Sequence, residues 1–532
     1  MKRHIVHPRQ QSMVEPEVPN PFVHRLELGT LDILKIAIMS VTIAPLRLLM
    51  VVLLLLLVWP LAAIGVACRS PEEADKPFTG WRWRFCKVLQ CVLKACVFLF
   101  GFHCVKIKGQ QATAEEAPIA VVAPHSSIFD MYTLLLGPQI GTGVAKEEAA
   151  RAPLIGRIIQ YTQPVLVSRE DPDSRLNTIK EITRRCKSGG AWPQIFIFPE
   201  GTCSNRSCLI SFKGGAFFPG VPVQPVCLRY NNKLDTITWT WDGPGAFQTL
   251  WLSLCQFHNN MEIEFLPVYT PSPEEIKNPK LFAYNVRQVM ADCLGVPVTD
   301  HSYDDCRLMD KAQKLNMPME AGLVEFQKLH QKLGISFEQM QELLDKFENI
   351  HPNNGGQITL EQFASYLQLP ESPALQEVFH LYDRDGSGTI DFREYVIGLM
   401  LVSHPVNSED NLQHAFKLFD SDNKGYLTPE ELQKILRNAF SMEDEQAAGL
   451  FQDIDTDKDG RVTYDDFKAY AVEKPEYAKL FMTYHDMSTS TTSNGLPVAH
   501  SNGGDCKGSN GNVPKGSYTN NVDEPIEGTP LF

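Results

Sequence analysis

The sequence has no excess of basic residues, which argues against a nucleic-acid-binding protein. It contains 49 Lys and Arg against 63 Asp and Glu, a net charge of −14, whereas nucleic-acid binding requires a basic face that displaces counterions from phosphates. Zinc-type cysteine pairs are also missing: the 13 cysteines include no CxxC pair and no Cys/His cluster with zinc-ligand spacing. Mostly free thiols in a reducing environment are therefore expected.

Long hydrophobic runs are scarce as well. Hydrophobic residues occupy an ordinary 43% of the 532 positions, which argues against a polytopic membrane protein, and the length predicts roughly three or four domains. The negative charge is concentrated in one part of the chain, because residues 371–480 contain 23 acidic and 11 basic residues. The acidity is therefore a property of one domain.

One long apolar run is present, and it predicts a membrane anchor. Residues 48–68 are 21 consecutive uncharged residues between Arg47 and Arg69. A helix of that length spans the roughly 30 Å hydrocarbon layer. A buried core helix is the alternative. The apolar stretch at 36–46, which Pro45 interrupts, can extend the anchor into a re-entrant pair in one leaflet.

Composition and periodicity predict the remaining organisation. The expected order is a flexible arm (1–30), a membrane anchor (transmembrane segment 48–68) with an amphipathic helix (31–105), an α/β domain (106–300), a helical linker (301–370), an all-α acidic domain (371–482) and a disordered tail (483–532). Within the α/β domain, short β-branched runs predict strands at 119–123, 165–168, 195–198, 223–228 and 261–268.

The segment 123–130, with the sequence APHSSIFD, follows the first of these strands and opens a helical pattern. His125 and Asp130 are five residues apart, so they can meet only if His125 lies in the turn and Asp130 in the first helical turns. A carboxylate on one imidazole nitrogen lets the other nitrogen accept a proton from a hydroxyl. A surface histidine is the alternative, because a single His-x4-Asp pattern occurs often by chance.

Further motifs follow this one in a fixed order. VLVSR lies at 165–169, FPEGT at 198–202, FKGGA at 212–216 and VPVQPV at 221–226. Together with the His-x4-Asp pattern, they resemble the glycerophospholipid acyltransferase family. The resemblance covers residues 110–270 and implies transfer of an acyl group from acyl-CoA to a lysophospholipid.

The resemblance also implies roles for individual residues. His125 is expected to be the general base and Asp130 its orienting partner, with no covalent acyl-enzyme. Arg169 and Lys213 are expected to contact the acceptor phosphate, although either could be a surface cation. The expected substrate-binding residues are Arg169, Glu200, Gly201, Thr202, Cys203 and Lys213.

Cys203 distinguishes branches of the family, since members that act on lysophosphatidic acid commonly have arginine at this position. EGTC at 200–203 and PLIGR at 153–157 are similar to the lysophosphatidylcholine acyltransferase branch. We do not interpret Cys203 as a nucleophile, because no second base lies near it in sequence. Lysophosphatidic acid or another lysolipid stays open as the acceptor.

The acidic domain contains a 12-residue EF-hand loop at 383–394, with oxygen ligands at the required positions and Gly386 at position 6. Its predicted calcium ligands are Asp383, Asp385, Ser387, Thr389 and Glu394.

Three further loops repeat at similar spacing. The loop at 420–431 is predicted to bind calcium weakly or not at all, because Lys424 replaces a ligand. The loop at 455–466 ends in a short aspartate, which favours lower affinity or a smaller ion, and the loop at 351–362 is degenerate. The candidate ligands are Asp420, Asp422, Tyr426 and Glu431 in one loop and Asp455, Asp457, Asp459, Arg461 and Asp466 in the other.

The anchor, the catalytic motifs and the hands together resemble lysophosphatidylcholine acyltransferases, and the intact loop favours the type 2 members over type 1. This resemblance implies Ca²⁺ as cofactor, acyl-CoA or acetyl-CoA as co-substrate, and lysophosphatidylcholine or lyso-platelet-activating factor as acceptor. It implies the endoplasmic reticulum membrane, with Golgi membranes and lipid droplets as further locations. The alternative is an inactive, calcium-responsive membrane adaptor. The sequence does not indicate an oligomeric state.

Overall fold

A computed structural model of the chain describes residues 18–474, apart from gaps at 68, 70–72, 74–75, 153–154, 169–173, 351–354, 404–412, 414–415, 418–419, 421–423 and 441–443. The predicted tail (483–532) lies outside the described residues, as do residues 1–17 of the predicted arm. The chain forms two compact units, which divide between Cys306 and Arg307.

The first unit begins with three helices, α1 (Thr30–Val41), α2 (Ile43–Val66) and α3 (Gly80–Leu99). α2 is long and apolar enough to cross a membrane. The break between α1 and α2 lies at Thr42. It does not lie at Pro45, because proline is tolerated in the first turn of a helix, where its missing N–H breaks no intrahelical hydrogen bond.

The other elements of this unit are β1 (Val105–Lys108), β2 (Ile119–Ala123), α4 (Thr133–Leu136), β3 (Thr142–Lys146), α5 (Glu147–Arg151), α6 (Ile155–Tyr161), β4 (Val165–Val167), α7 (Ser174–Cys186), β5 (Ile195–Ile197), β6 (Val223–Arg229), α8 (Ala246–Leu254), β7 (Met261–Phe265), α9 (Pro273–Lys277) and α10 (Pro279–Leu294). The five predicted strands are present. β1 and β3 are additional, because their sequences, VKIK and TGVAK, carry weak strand signals.

The strands form one mixed sheet in the order β1-β7-β6-β2-β5-β3-β4. β6, β2, β5, β3 and β4 run parallel, whereas β7 pairs antiparallel with β6. Helices cover both faces, as expected for an α/β domain. In the central strand β2, Ala120 and Val122 pack on the side of α2 and α3. Ile119 and Val121 pack on the side of α7 and α10.

α2 is part of this core along most of its length. Its buried residues, among them Ala44, Val51 and Val58, recur every seven positions and form one stripe, while the opposite face is exposed. At one end, Gly65 lies so close to Tyr161 of α6 that an added Cβ would be 1.9 Å from the ring. At the other end, Arg47 donates to the carbonyl oxygen of Leu254 at 2.9 Å. The apolar helix is therefore fixed to the α/β domain.

Residues 20–25, within the segment expected to be flexible, lie against the same domain. Phe22 is fully buried, and His24 Nε2 lies 2.9 Å from the carbonyl oxygen of Asp235. The Asn205 side chain donates to the carbonyl oxygens of Asn20 and Val23, both at 2.9 Å.

α11 (Tyr303–Lys314) leads into the second unit. It is followed by α12 (Phe326–Leu333), α13 (Phe337–Ile350), β8 (Gln357–Thr359), α14 (Leu360–Tyr366), α15 (Pro373–Tyr382), β9 (Thr389–Asp391), α16 (Phe392–Ser403), β10 (Tyr426–Leu427), α17 (Pro429–Phe440), α18 (Asp444–Ile454), β11 (Val462–Thr463) and α19 (Tyr464–Glu473).

The short strands of this unit join the loops in two pairs. β8 pairs antiparallel with β9, with Ile358 opposite Ile390, and β10 pairs with β11, with Leu427 opposite Val462. The degenerate loop therefore pairs with the intact loop, and the second loop pairs with the third. Together with the mixed sheet behind an apolar helix, these paired helix-loop-helix units confirm the predicted fold class.

Candidate active site

Three neighbouring parallel strands bring the site together. β6, β2 and β5 are adjacent in the sheet, so their carboxyl ends meet at one edge. His125 follows β2, Glu200 follows β5 and Tyr230 follows β6 directly. Ligand sites in open α/β sheets lie at this edge.

His125 lies in the turn between β2 and a 3₁₀ helix at Ile128–Tyr132, as the spacing requires. Ser127 is the N-cap of this helix, and its hydroxyl accepts the N–H of Phe129 at 3.3 Å. The cap places Asp130 in the first turn, where His125 Nδ1 lies 2.9 Å from Asp130 Oδ2.

Asp130 has a complete set of hydrogen-bond donors. Its Oδ2 accepts the main-chain N–H groups of Ser126 at 2.6 Å and Ser127 at 2.8 Å. Its Oδ1 accepts the hydroxyl of Tyr230 at 2.5 Å. The side chain is 0% exposed, so these donors replace water and hold the carboxylate in one orientation.

Tyr230 is a site residue that the sequence interpretation missed. It lies 100 positions from Asp130, and no spacing within a motif points to it. A second layer supports it: the Arg206 guanidinium lies 5.4 Å from the centre of the Tyr230 ring and pairs with Asp235. Arg206 also donates to the Ser126 hydroxyl at 3.1 Å. The available signal is the position of Tyr230 immediately after a buried strand that neighbours β2.

Glu200 is turned inwards. Its Oε2 accepts the main-chain N–H of His125 at 2.6 Å, and the side chain is 1% exposed. Burial raises the pKa of Glu200 to about 8, although the His125 N–H and the imidazole charge oppose this shift. The carboxyl group therefore holds the turn that carries His125 and is mostly protonated at neutral pH.

The imidazole of His125 has two further neighbours. The Phe198 ring centre lies 4.5 Å from the His125 ring centre, and the Cys203 side chain lies within hydrogen-bonding range. Burial disfavours the charged imidazolium, but the Cys203 and Asp130 side chains favour it more, so the pKa of His125 lies well above its ordinary value. This contact between Cys203 and a base was not expected from the sequence.

The other predicted substrate-binding residues lie beside this turn where they are described. Gly201 has a φ of +66°, and an added Cβ there would lie 2.8 Å from Lys213 Nζ. The Lys213 main-chain N–H donates to the carbonyl of Pro199 at 2.7 Å, which places its ammonium group over the FPEGT turn. The Thr202 side chain hydrogen-bonds with the Cys306 thiol. Arg169 lies outside the described residues.

The intact calcium loop gathers oxygen ligands. One carboxylate oxygen from each of Asp383, Asp385 and Glu394 lies within 4.8 Å of the others. The Ser387 hydroxyl donates to the Thr389 carbonyl at 3.1 Å. Because calcium prefers six to eight oxygen ligands, this donor set fits the ion.

The second loop differs, because the Lys424 ammonium pairs with Glu431. The carboxylate at the last position of the loop is therefore neutralised by the protein. Asp420 accepts the N–H of Gly425 at 2.8 Å. Tyr426 lies under the Arg461 guanidinium at 4.7 Å. Asp422 lies outside the described residues.

The third loop gathers Asp455, Asp457 and Asp459 within 4.8 Å, which fits a cation. Asp466 is not part of this group. Its Oδ1 accepts the Thr456 hydroxyl at 2.5 Å, and its Oδ2 accepts the Thr463 hydroxyl at 2.6 Å. The short side chain therefore caps α19, in keeping with the weaker site predicted for this loop.

Comparison with protein families gives separate matches for the segment that carries His125 and for the calcium loops. The acyltransferase family model matches residues 104–229. An EF-hand model matches residues 375–399, and a model for an EF-hand domain pair matches residues 409–472.

Whole-chain relatives are similar throughout. Lysophosphatidylcholine acyltransferase 2 of Danio rerio is 51% identical over 483 residues, which is 90% of this chain and 91% of that protein. The Homo sapiens protein of the same name is 50% identical over 487 residues, 91% of this chain and 88% of its own. Lysophosphatidylcholine acyltransferase 1 of Rattus norvegicus is 45% identical over 492 residues, 92% of both chains. At this identity and coverage, the chain belongs to the lysophosphatidylcholine acyltransferase family.

Proposed function

We propose that this protein transfers an acyl group from acyl-CoA to the free hydroxyl of lysophosphatidylcholine. The observation that carries the proposal is the 2.9 Å contact between His125 Nδ1 and the buried Asp130 carboxylate. The names of the relatives support lysophosphatidylcholine as the acceptor. Lyso-platelet-activating factor is a second acceptor, and acetyl-CoA a second donor, of the same reaction.

In this mechanism, Asp130 keeps the proton of His125 on Nδ1, so that Nε2 accepts the proton of the acceptor hydroxyl. The hydroxyl oxygen attacks the thioester carbon, and a tetrahedral oxyanion forms. As the carbon–sulfur bond breaks, the imidazolium returns the proton to the leaving CoA thiolate. Because the pKa of His125 is raised, the unprotonated base becomes more abundant as pH rises, and turnover is expected to rise with it.

The remaining predicted substrate-binding residues are given proposed roles from their charge and their backbone conformation. Lys213 lies over the FPEGT turn and is proposed, with Arg169, to bind the acceptor phosphate. Gly201 lets the main chain approach the acceptor, and Thr202 and Cys203 lie in the same turn. For Glu200 we propose a positioning role, because its buried carboxyl group binds the main chain of His125.

We further propose that the loops at 383–394 and 455–466 bind Ca²⁺. The ligands in the first are Asp383, Asp385, Ser387, the main-chain carbonyl of Thr389, and Glu394. Those in the other are Asp455, Asp457, Asp459 and the main-chain carbonyl of Arg461. The clustering of carboxylates in both loops supports this assignment. α2 is proposed to hold the enzyme in endoplasmic reticulum membranes, and also in Golgi membranes and at lipid droplets. Its exposed apolar face supports membrane attachment.

The test compares wild type with His125→Ala in microsomes, using a panel of lysolipids with different headgroups at fixed acyl-CoA. We expect lysophosphatidylcholine to be the preferred acceptor and His125→Ala to lower turnover about 10²- to 10⁴-fold. His380→Ala, at an exposed position on α15, is the matched control and keeps full activity. Unchanged turnover in His125→Ala would overturn the mechanism. A wild type that is inactive with every lysolipid would favour the inactive membrane adaptor.

A further inference from the structure

Four cationic or titratable side chains surround the loop that follows α8. Lys35 of α1 donates to the Gln256 side chain at 2.6 Å. Arg47 of α2 donates to the carbonyl oxygens of Leu254 at 2.9 Å and Gln256 at 2.5 Å. These contacts fix both cations beside one turn of the chain.

Two histidines extend this group. The His103 ring centre lies 5.7 Å from that of His258, and both side chains are exposed. Burial together with the positive charge of Arg47 lowers the pKa of His103, and His258 acts in the same direction. Lys35 and Arg47 are the two side chains of this group that carry a permanent positive charge. We call Lys35, Arg47, His103 and His258 the headgroup surface.

The headgroup surface has no acidic partner within the part of the chain that the structure describes. Among residues 18–474 where the structure describes them, no carboxylate forms an ion pair with its four members. The nearby Asp32 of α1 instead accepts the N–H of Gly29 at 3.3 Å. Paired surface charges satisfy each other, whereas an unpaired cationic group favours an anionic ligand.

Exposed apolar side chains border the headgroup surface. Phe257, whose carbonyl oxygen faces the Arg47 guanidinium, is 60% exposed. Phe98, beside His103 with ring centres 4.6 Å apart, is also exposed. The exposed apolar face of α2 continues from Leu46 next to Arg47. Cations flanked by exposed aromatic rings are typical of the boundary between lipid headgroups and acyl chains.

We propose that the headgroup surface binds the phosphate groups of anionic phospholipids in the bilayer to which α2 attaches the enzyme. The proposal rests on the membrane-bound function above and names the lipid class that the surface selects. Three observations favour an anionic bilayer over a soluble anion: two fixed cations, no carboxylate partner among the described residues, and continuity with the exposed apolar side of α2.

The test uses the full chain in neutral-detergent mixed micelles, with energy transfer from tryptophan to dansyl-labelled phosphatidylserine or phosphatidylcholine. We expect the wild type to be half-saturated at a lower mole fraction of phosphatidylserine than of phosphatidylcholine. Lys35→Gln should raise the phosphatidylserine value about fivefold, since one cation near a lipid surface contributes about that factor, and Lys35→Glu should raise it further. The phosphatidylcholine value should not change.

His103→Glu tests the same surface at an exposed position and should also raise the phosphatidylserine value. Lys280→Gln, an exposed lysine on α10, is the matched control. Equal half-saturation by the two lipids in the wild type, or no shift in both Lys35→Glu and His103→Glu, would overturn the proposal. Acyl transfer is measured in the same micelles at saturating substrate. Lipid selectivity without turnover would contradict the proposed enzyme but support the headgroup surface.

Discussion

The His125 turn and the intact calcium loop both hold carboxylates with main-chain N–H donors, but the turn holds one carboxylate and the loop brings several together. Asp130 is buried and receives hydrogen bonds from main-chain N–H groups and from Tyr230. In the intact loop, Asp383, Asp385 and Glu394 place carboxylate oxygens close to one another. The first arrangement is complete within the protein, whereas the second needs a cation to offset repulsion between like charges. The geometry of the proposed catalytic pair is therefore preorganised, whereas that of the proposed calcium site depends on an ion.

The loop at 420–431 lies between these two cases. It keeps the calcium-loop pattern, but Lys424 pairs with Glu431 and takes the place of an ion. In its partner loop, at 455–466, the early carboxylates lie close together, while Asp466 caps a helix. The loop whose carboxylates await a cation, at 455–466, is therefore paired with the loop in which a lysine already takes the place of the ion, at 420–431.

The largest expected effect is a loss of turnover when Asp130, in the His125 turn, is replaced. Asp130→Asn replaces one acceptor oxygen by an N–H₂ group that faces main-chain N–H groups, so the imidazole loses its orientation. We expect kcat to fall roughly 10³- to 10⁴-fold. Calorimetric calcium titration of the same variant should give wild-type binding, which shows that the second unit is folded. Activity within tenfold of wild type would mean that the carboxylate does not orient His125.

The last carboxylate of the calcium loop should matter for calcium affinity in the intact loop but not in the loop at 420–431. Glu394→Gln removes a carboxylate from the intact loop and should weaken its calcium affinity about 10- to 100-fold. Glu431→Gln is the matched control, and it should leave the calcium isotherm unchanged, because Lys424 already neutralises that residue. Equal losses in the two variants would show that the second loop also binds the ion. Turnover with and without chelator, in wild type and Glu394→Gln, measures whether calcium regulates catalysis.

A smaller effect is expected from Tyr230→Phe, which removes one of the donors to Asp130 and keeps the ring. We expect kcat to fall about tenfold, with little change in KM, which is the lower end of the roughly 1.5–3 kcal/mol that a hydrogen bond to a charged group contributes. Because Asp130 then stabilises the imidazolium differently, the pH profile of kcat should also shift. Tyr284→Phe, on an exposed part of α10, is the control. A pure loss of thermal stability without a pH shift would argue for a structural role alone.

The smallest effect on turnover is expected at Glu200, where replacement should instead change how stability depends on pH. Burial raises the pKa of Glu200 to about 8 in the folded protein, whereas the unfolded chain loses this proton near pH 4.5. Between these values only the folded state keeps the proton, so the wild type loses stability as pH rises.

Glu200→Gln cannot ionise and still accepts the His125 N–H. The variant should gain stability over wild type as pH rises from about 5 to 8, by about 3–4 kcal/mol across this range, because each unit of pKa difference corresponds to about 1.4 kcal/mol. Melting temperatures across this range measure the effect, and turnover should stay within a few-fold of wild type. A large loss of turnover would indicate instead that the carboxylate contacts the acceptor. Glu200→Ala, which leaves the N–H unpaired, should lower both stability and turnover.

The sequence was sufficient to infer the local geometry of the candidate site. The turn that carries His125 and Asp130 depends on neighbours within eight residues, from the end of β2 to the serine cap, and local spacing is sufficient to infer it. The same holds for the calcium loops, whose ligands lie within one 12-residue segment.

Contacts between distant segments could not be predicted. Tyr230 reaches Asp130 only because β6 and β2 are neighbours, which is a matter of strand order. The inward orientation of Glu200 follows from the adjacent position of β5, although its motif was recognised. For α2, composition indicated an apolar helix, but the buried stripe depends on what packs against it.

The packing of α2 has a practical consequence for preparing the enzyme. Val51, Val58 and Ala62 contact the same apolar cluster as the central strand β2. A shortened chain beginning after Val66 would therefore expose one face of the catalytic core to water, and we expect it to aggregate. We therefore expect the active enzyme to be obtained by extracting the full chain with detergent and not by deleting α2.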